Sequence, residues 1–117
     1  MKLLVVDDER DMTELTGAYL RLHGIEVDAC NDPEQVVARL KAGSYDALVV
    51  DLMMYPMDGF SLLHEVRGLP EFSQTPIVVL SAKRLSEEER KDLLTMKVHF
   101  LPKPCHMPRL LQALQPK

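Results

Sequence analysis

The sequence predicts an α/β fold: five strands alternating with five helices in a doubly wound parallel sheet, with residues 1–117 forming a single domain. Three observations carry this expectation. Leu3-Leu4-Val5-Val6, Ala47-Leu48-Val49-Val50 and Ile77-Val78-Val79-Leu80 are short runs, apolar on both faces, as in parallel strands covered on each side. Stretches with apolar residues at helical spacing separate them. No internal repeat, low-complexity tract or linker interrupts the alternation, which calls for right-handed crossovers with helices on both faces.

Taken in order, the first strand ends at Asp7-Asp8. Residues 9–23 then carry Met12, Leu15, Tyr19 and Leu22 at helical spacing, and Gly24 supplies the stop. In the next segment Ile25, Val27 and Ala29 alternate with polar neighbours, which suggests an edge strand with one wetter face. Asp32-Pro33-Glu34 starts the second helix, with Asp32 as cap, Pro33 at the first helical position and an acid in the first turn. Val36, Val37 and Leu40 mark its apolar face, and Gly43 ends it.

The central strand covers residues 46–50 and stops at Asp51, followed by the loop Leu52-Met53-Met54-Tyr55-Pro56-Met57-Asp58-Gly59. Phe60, Leu62, Leu63 and Val66 mark the third helix, ending near Gly68. The fourth strand closes at Ser81. Ser86-Glu87-Glu88-Glu89 matches a capping box for the fourth helix. Residues 98–101 form the last strand, Pro102-Lys103-Pro104 follows, and Leu110, Leu111 and Leu114 line the fifth helix.

Composition bounds the function. With 46% hydrophobic and 27% charged residues, the 117-residue chain can build one core without metal or disulfide staples. A net charge of −4 and few aromatics argue against nucleic-acid binding by this domain. No signal peptide and no run of membrane-spanning length is present, so a cytoplasmic protein is expected. Cys30 and Cys105 lie far apart with no metal-binding spacing, which suits incidental thiols in a reducing compartment better than a metal cluster with His99 and His106.

Every strand but the second ends in a group of chemical use: Asp7 and Asp8, Asp51, Ser81, and Lys103 just past the last strand. Ligands of open parallel sheets gather at these carboxyl ends. Crowded carboxylates raise one another's pKa unless a cation joins them, and hard oxygen donors suit Mg²⁺. A lysine and a hydroxyl meet the needs of phosphoryl oxygens, and a carboxylate can be the nucleophile that accepts a phosphoryl group. Each residue also has a plain structural explanation: Asp51 as a strand terminator, Asp8 and Glu9 as helix-start acids, Lys103 as a solvated charge. All of them meeting at one edge by coincidence is the less economical account.

Asp7-Asp8, Asp51 with Met57-Asp58-Gly59, Ser81-Ala82, and Phe100 with Lys103-Pro104 together resemble the receiver domains of response regulators in two-component signalling, over the whole chain. The resemblance implies a flavodoxin-like sheet of order 2-1-3-4-5 and Asp51 as phosphoacceptor, supplied by a sensor histidine kinase, a phosphotransfer protein or a small phosphodonor. It implies Mg²⁺ (or Mn²⁺) bound by Asp8, Asp51 and the backbone carbonyl of Met53, with Asp7 helping. Lys103 and Ser81 would contact the phosphoryl oxygens, Ala82 would keep access open, Phe100 would be the switching aromatic, and Pro104 would follow a cis bond that aims Lys103. Met53 and Lys83 would border the path of a hydrolytic water. The chain would catalyse only its own phosphorylation and dephosphorylation, and a homodimer through the fourth helix, fifth strand and fifth helix is open to it.

Departures from the family pattern fall at Met54-Tyr55-Pro56, at Met96-Lys97 and at Cys105. They bear on the conformational relay and leave the acid set untouched. Tyr55, Pro56, Met96 and Lys97 also favour the competing reading of a receiver-like scaffold that works without phosphate, which the intact acids, Ser81 and Lys103 oppose. A turnover phosphatase of the haloacid dehalogenase-like type needs a second acid two residues after the nucleophile, where this chain has Met53. Because the sequence ends with the fifth helix, it is expected either to act through partners or to be a receiver excised from a longer regulator.

Overall fold

The computed structural model describes residues 1–103 and 106–114. Strands β1 (Lys2–Val6), β2 (Glu26–Cys30), β3 (Ala47–Asp51), β4 (Ile77–Ser81) and β5 (His99–Pro102) alternate with helices α1 (Arg10–Leu22), α2 (Val36–Ala42), α3 (Gly59–Arg67), α4 (Glu87–Thr95) and α5 (Met107–Leu114). The sheet is parallel throughout, in the order β2-β1-β3-β4-β5. Two 3-10 turns, Pro33–Gln35 and Pro70–Phe72, refine the expected elements. The first of them takes the cap from Asp32, whose carboxylate accepts the Glu34 N–H at 3.0 Å, and leads directly into α2.

The period-two alternation of strand side chains sorts the core into two layers. Leu4, Val6, Leu48, Val50, Ile77 and Val79 pack on one face against Val36 and Leu40 of α2, Leu62, Leu63 and Val66 of α3, and Leu93 of α4. Leu3, Val5, Val27, Val49, Val78 and Leu80 face the other way, toward Leu20 of α1 and Leu110 and Leu114 of α5. All five residues of β3 and of β4 are buried, which is why both read as unbroken apolar runs ending in a polar group.

Helix α1 departs from the expected apolar face. Thr13, Thr16, Gly17 and Leu20 are its buried residues, whereas Leu15 and Leu22 are 66% and 84% exposed. A Cβ on Gly17 would stand 3.5 Å from a Val27 methyl, so this helix lies close to the sheet and selects small side chains there. The buried threonine is satisfied locally: Thr13 Oγ1 donates to the Arg10 carbonyl and accepts from Asn31. Met12 and Tyr19 of the expected face are half-buried and Leu20 is fully buried, but Leu15 and Leu22 give way on the inner face to the small residues Thr13, Thr16 and Gly17.

Two helices end in the same hydrogen-bond pattern. After α1, Gly24 at φ +80° donates to the Arg21 carbonyl and Ile25 to that of Leu20. After α4, Lys97 at φ +57° donates to the Leu94 carbonyl and Val98 to that of Leu93, so a lysine occupies the left-handed position that glycine takes without strain. Arg67 holds this turn from α3. Its Nε donates to the Met96 carbonyl at 2.8 Å, Nη2 to Lys97 at 3.3 Å, and Nη1 to Phe72 and Thr75 at 2.8 and 2.7 Å. Burial lowers the pKa of this guanidinium, and its partners are backbone carbonyls that the helix end and the loop leave open.

Replacing Lys97 by glycine is expected to stabilise the chain by about 0.5–1 kcal/mol, since the left-handed cost exceeds the added entropy of the unfolded state. Urea unfolding of Lys97→Gly beside wild type measures it, and an unchanged or lower midpoint contradicts the assignment of strain to this residue.

Candidate functional site

The site lies at the carboxyl edge of the sheet, where β1 and β3 are neighbours and β5 lies beyond β4. Asp51 is the last residue of β3 and 8% exposed. Its Oδ1 accepts the Met53 N–H at 3.0 Å, which turns the chain sharply after the strand, and its Oδ2 accepts from Lys103 Nζ at 3.0 Å. Asp7, 5% exposed, accepts the Glu9 N–H at 3.0 Å on Oδ1 and lies 3.5 Å from the same ammonium on Oδ2. Lys103 is brought in through its own backbone, whose N–H donates to the Ser81 carbonyl at 2.9 Å. One cation thus bridges carboxylates from two strands.

Electrostatics follow from this geometry. Burial raises the pKa of Asp7 to about 6, assisted by the negative charge of Asp51 and opposed by the Glu9 N–H and Lys103. Burial on its own disfavours charged Lys103, yet hydrogen bonds and Coulombic attraction from Asp51 and Asp7 outweigh it and raise its pKa. Two acids against one base leave an excess of negative charge in a poorly solvated corner.

Asp8 stands beside this pair but faces elsewhere: its Oδ2 accepts the Tyr55 N–H at 3.0 Å, tying the loop after β3 to the end of β1. Among the described residues no three acidic, imidazole or thiol groups close into a metal cage. The donor set still has the chemistry of a hard divalent-cation site, with oxygen atoms only and three carboxylates against one ammonium.

The remaining predicted residues are distributed around the same edge. Ser81 is buried, and its Oγ accepts the Lys83 N–H at 2.9 Å. Ala82 is exposed at the rim, Met53 is 56% exposed, and Phe100 is half-buried, packed on the layer beneath α4. Pro104 and the expected Lys103-Pro104 cis bond lie outside the described residues. The cis X-Pro bond among the described residues is Tyr55-Pro56, in the loop that meets Asp8. Gly59 closes that loop at a very close approach: an added Cβ would stand 2.5 Å from Leu52 Cα and 2.7 Å from the Asp51 carbonyl oxygen. Glycine in Met57-Asp58-Gly59 is thereby a steric requirement of the β3–α3 junction. Asp58 caps α3 by accepting the Ser61 N–H at 2.8 Å.

Sequence reasoning missed Asn31. Its Nδ2 donates to the Asp7 carbonyl at 2.9 Å and to Thr13 Oγ1 at 3.0 Å, locking the end of β1 to α1. Strand two therefore also ends in a useful group, and its place directly after Cys30 was the available signal.

The raised Asp7 pKa has a stability consequence. A folded-state value of about 6 against 3.8 means that the native state holds the proton more tightly. That contribution is complete below the unfolded value and is lost as pH rises through the folded one. In metal-free buffer Asp7→Asn is expected to exceed wild-type stability by about 1–3 kcal/mol near neutral pH, with the gap shrinking through pH ~6 and closing near pH ~4. Urea denaturation across that range tests it, and a gap independent of pH rules it out.

Comparison with known proteins identifies the family and the fold. The model of the response regulator receiver domain matches residues 3–115. The chain is 35% identical over 103 residues to the transcriptional regulatory protein CpxR of Klebsiella pneumoniae, covering 88% of this chain and 43% of CpxR. It is 30% identical over 110 residues to the signal transduction histidine-protein kinase BarA of Escherichia coli, covering 94% of this chain and 12% of that protein. The chain thus spans less than half of these longer relatives. Among solved structures, a response regulator receiver protein from Pseudomonas putida superposes with a TM-score of 0.90 at 29% identity, covering 97% of this chain and 93% of the other. The chemotaxis protein CheY4 of Vibrio cholerae does so with 0.87 at 28% identity, covering 97% and 95%. With the fold, the strand order and the family model in agreement, this chain belongs to the response regulator receiver domains of two-component systems.

Proposed function

We propose that the chain is a phosphoacceptor switch in which Asp51 takes a phosphoryl group from the phosphohistidine of a sensor histidine kinase or phosphotransfer protein. The observation that carries this reading is the Asp51–Lys103 contact at 3.0 Å, at a strand end where Asp7, Asp8 and Ser81 are also gathered. A carboxylate oxygen of Asp51 forms the P–O bond as the P–N bond of the donor breaks, and the departing imidazole keeps the electron pair. Lys103 and the Ser81 hydroxyl face the charge carried by the equatorial oxygens. Asp8, Asp51 and the Met53 carbonyl, with Asp7 helping, would hold Mg²⁺ or Mn²⁺, which would supply positive charge to balance the phosphoryl group and the carboxylates. The chain then catalyses only its own loading and unloading, as a regulatory domain.

Surfaces suited to partners flank the site. Leu15 and Leu22 make an exposed apolar stripe on α1, which begins two residues after Asp8, and this suits docking of the donor's helices. Leu85, Leu93, Leu94, Val98 and Phe100, with Arg90, border a mainly apolar hollow of about 350 Å³ between α4 and β5, which suits an output protein, an output domain or a second copy. Among the described residues no helix is long and apolar enough to cross a membrane.

Incubation with acetyl phosphate and Mg²⁺ is expected to add the mass of one phosphoryl group, in wild type but not in Asp51→Asn. Loading that survives in Asp51→Asn refutes the assignment. Lifetime should be long. Met53 offers no strong hydrogen bond to orient a water, and Lys83 is a donor only. Met53→Asn combined with Lys83→Gln is expected to release phosphate several-fold faster than wild type, followed after removal of the donor; equal rates would show that these side chains do not gate the water.

A further inference from the structure

We propose that Lys83 is a cation shared between Glu89 and the phosphoryl group, so that the N-terminal cap of α4 reports the state of Asp51; the proposal rests on Asp51 being the phosphoacceptor. In the unmodified chain Lys83 Nζ lies 3.0 Å from Glu89 Oε2 and 3.3 Å from Oε1. Glu89 is also half of the α4 capping box. Its Oε1 accepts the Ser86 N–H at 2.9 Å, while Ser86 Oγ accepts the Glu89 N–H at 3.1 Å. One carboxylate thus serves a lysine and a helix end together, and both contacts lower its pKa.

Lys83 is also bound to the site from behind. Its N–H donates to Ser81 Oγ, the hydroxyl that closes β4, so reorientation of that hydroxyl acts on the Lys83 backbone. In front, Lys83 and Glu89 line one cleft of about 510 Å³ with Asp8, Met53 and Asp58. Lys83 is its one basic residue among the described lining, against three acids. A phosphoryl group adds roughly −1.5 to −2 charges beside this cleft, more than the single carboxylate of Glu89 offers. Lys83 then turns from Glu89 to the phosphoryl oxygens. Glu89 loses its counter-charge and keeps only the cap, and the β4–α4 turn is released from its ion pair. The pair is solvent-accessible, with side chains 40% and 27% exposed, so its loss costs little, as a switch contact requires.

The test is amide NMR of the full chain with Mg²⁺ and beryllofluoride as the phosphoryl mimic. The Met53 amide, which donates to Asp51, is expected to shift, and the Ser86 and Glu89 amides to shift with it. In Lys83→Gln the Met53 shift should persist while the Ser86 and Glu89 response falls away. If Met53 moves but Ser86 and Glu89 do not, the shared cation is overturned and the phosphoacceptor stands. If Met53 does not move either, both are overturned. Glu89→Gln, whose carboxamide oxygen can still accept the Ser86 N–H, should tighten mimic binding about two- to fivefold at low salt by freeing Lys83. The same substitution in a Lys83→Gln background should have no effect. No gain with Lys83 present, or an equal gain in both backgrounds, overturns the proposal.

Discussion

The ammonium of Lys103 between Asp51 and Asp7 is the contact on which the rest of the molecule depends. Adjacent parallel strands bring two carboxylates to the same edge, where they repel each other and are poorly hydrated. Strand β5 returns a lysine to them across the intervening β4, and its N–H is fixed on the Ser81 carbonyl. The arrangement is closed on paper, with every buried side-chain nitrogen and oxygen among the described residues finding a partner. It is also biased. Asp7 is held as a weaker acid than it is in water, so added positive charge is favoured and added negative charge must be met by cations within reach.

Everything around this contact fixes the strand ends. Asn31 holds the last turn of β1 to α1, and the Met53 N–H and the close approach of Gly59 fold the loop after β3 back on itself. At the far side of the sheet, Arg67 ties α3 to the end of α4 through the Met96 and Lys97 carbonyls, and to the loop before β4 through those of Phe72 and Thr75. The rigid part of the molecule therefore lies behind the site. The contacts in front of it, Tyr55 with Asp8 and Lys83 with Glu89 in the first turn of α4, are solvent-accessible links made by loop residues. Such links change partners at small cost, whereas the buried layers do not.

Much of the fold was legible because each strand had a simple reason to read as it does. β3 and β4 are buried on both sides and contain nothing but apolar residues before the chemical group at their ends. The capping box at Ser86 and Glu89 and the stop at Gly24 are local devices, decided within a few residues, and they appear as expected. The acid set and Lys103 were legible too, because strand ends in a parallel sheet share one edge whatever the details of packing.

The inner face of α1 was decided only in the tertiary structure. Periodicity marks Met12, Leu15, Tyr19 and Leu22; Met12 and Tyr19 do turn partly inward, but beside the sheet Thr13, Thr16 and Gly17 are buried while Leu15 and Leu22 are exposed, so small volume outweighs hydrophobicity there. The partners of Asp8, Arg67, Asn31 and Lys83 were likewise decided by folding, since each is a contact between residues whose chemistry fits many alternatives. Sequence alone determined which groups arrive at the edge, because that depends on order along the chain. Their pairing depends on distances of an ångström or two between elements far apart in sequence, and only the packed core sets those.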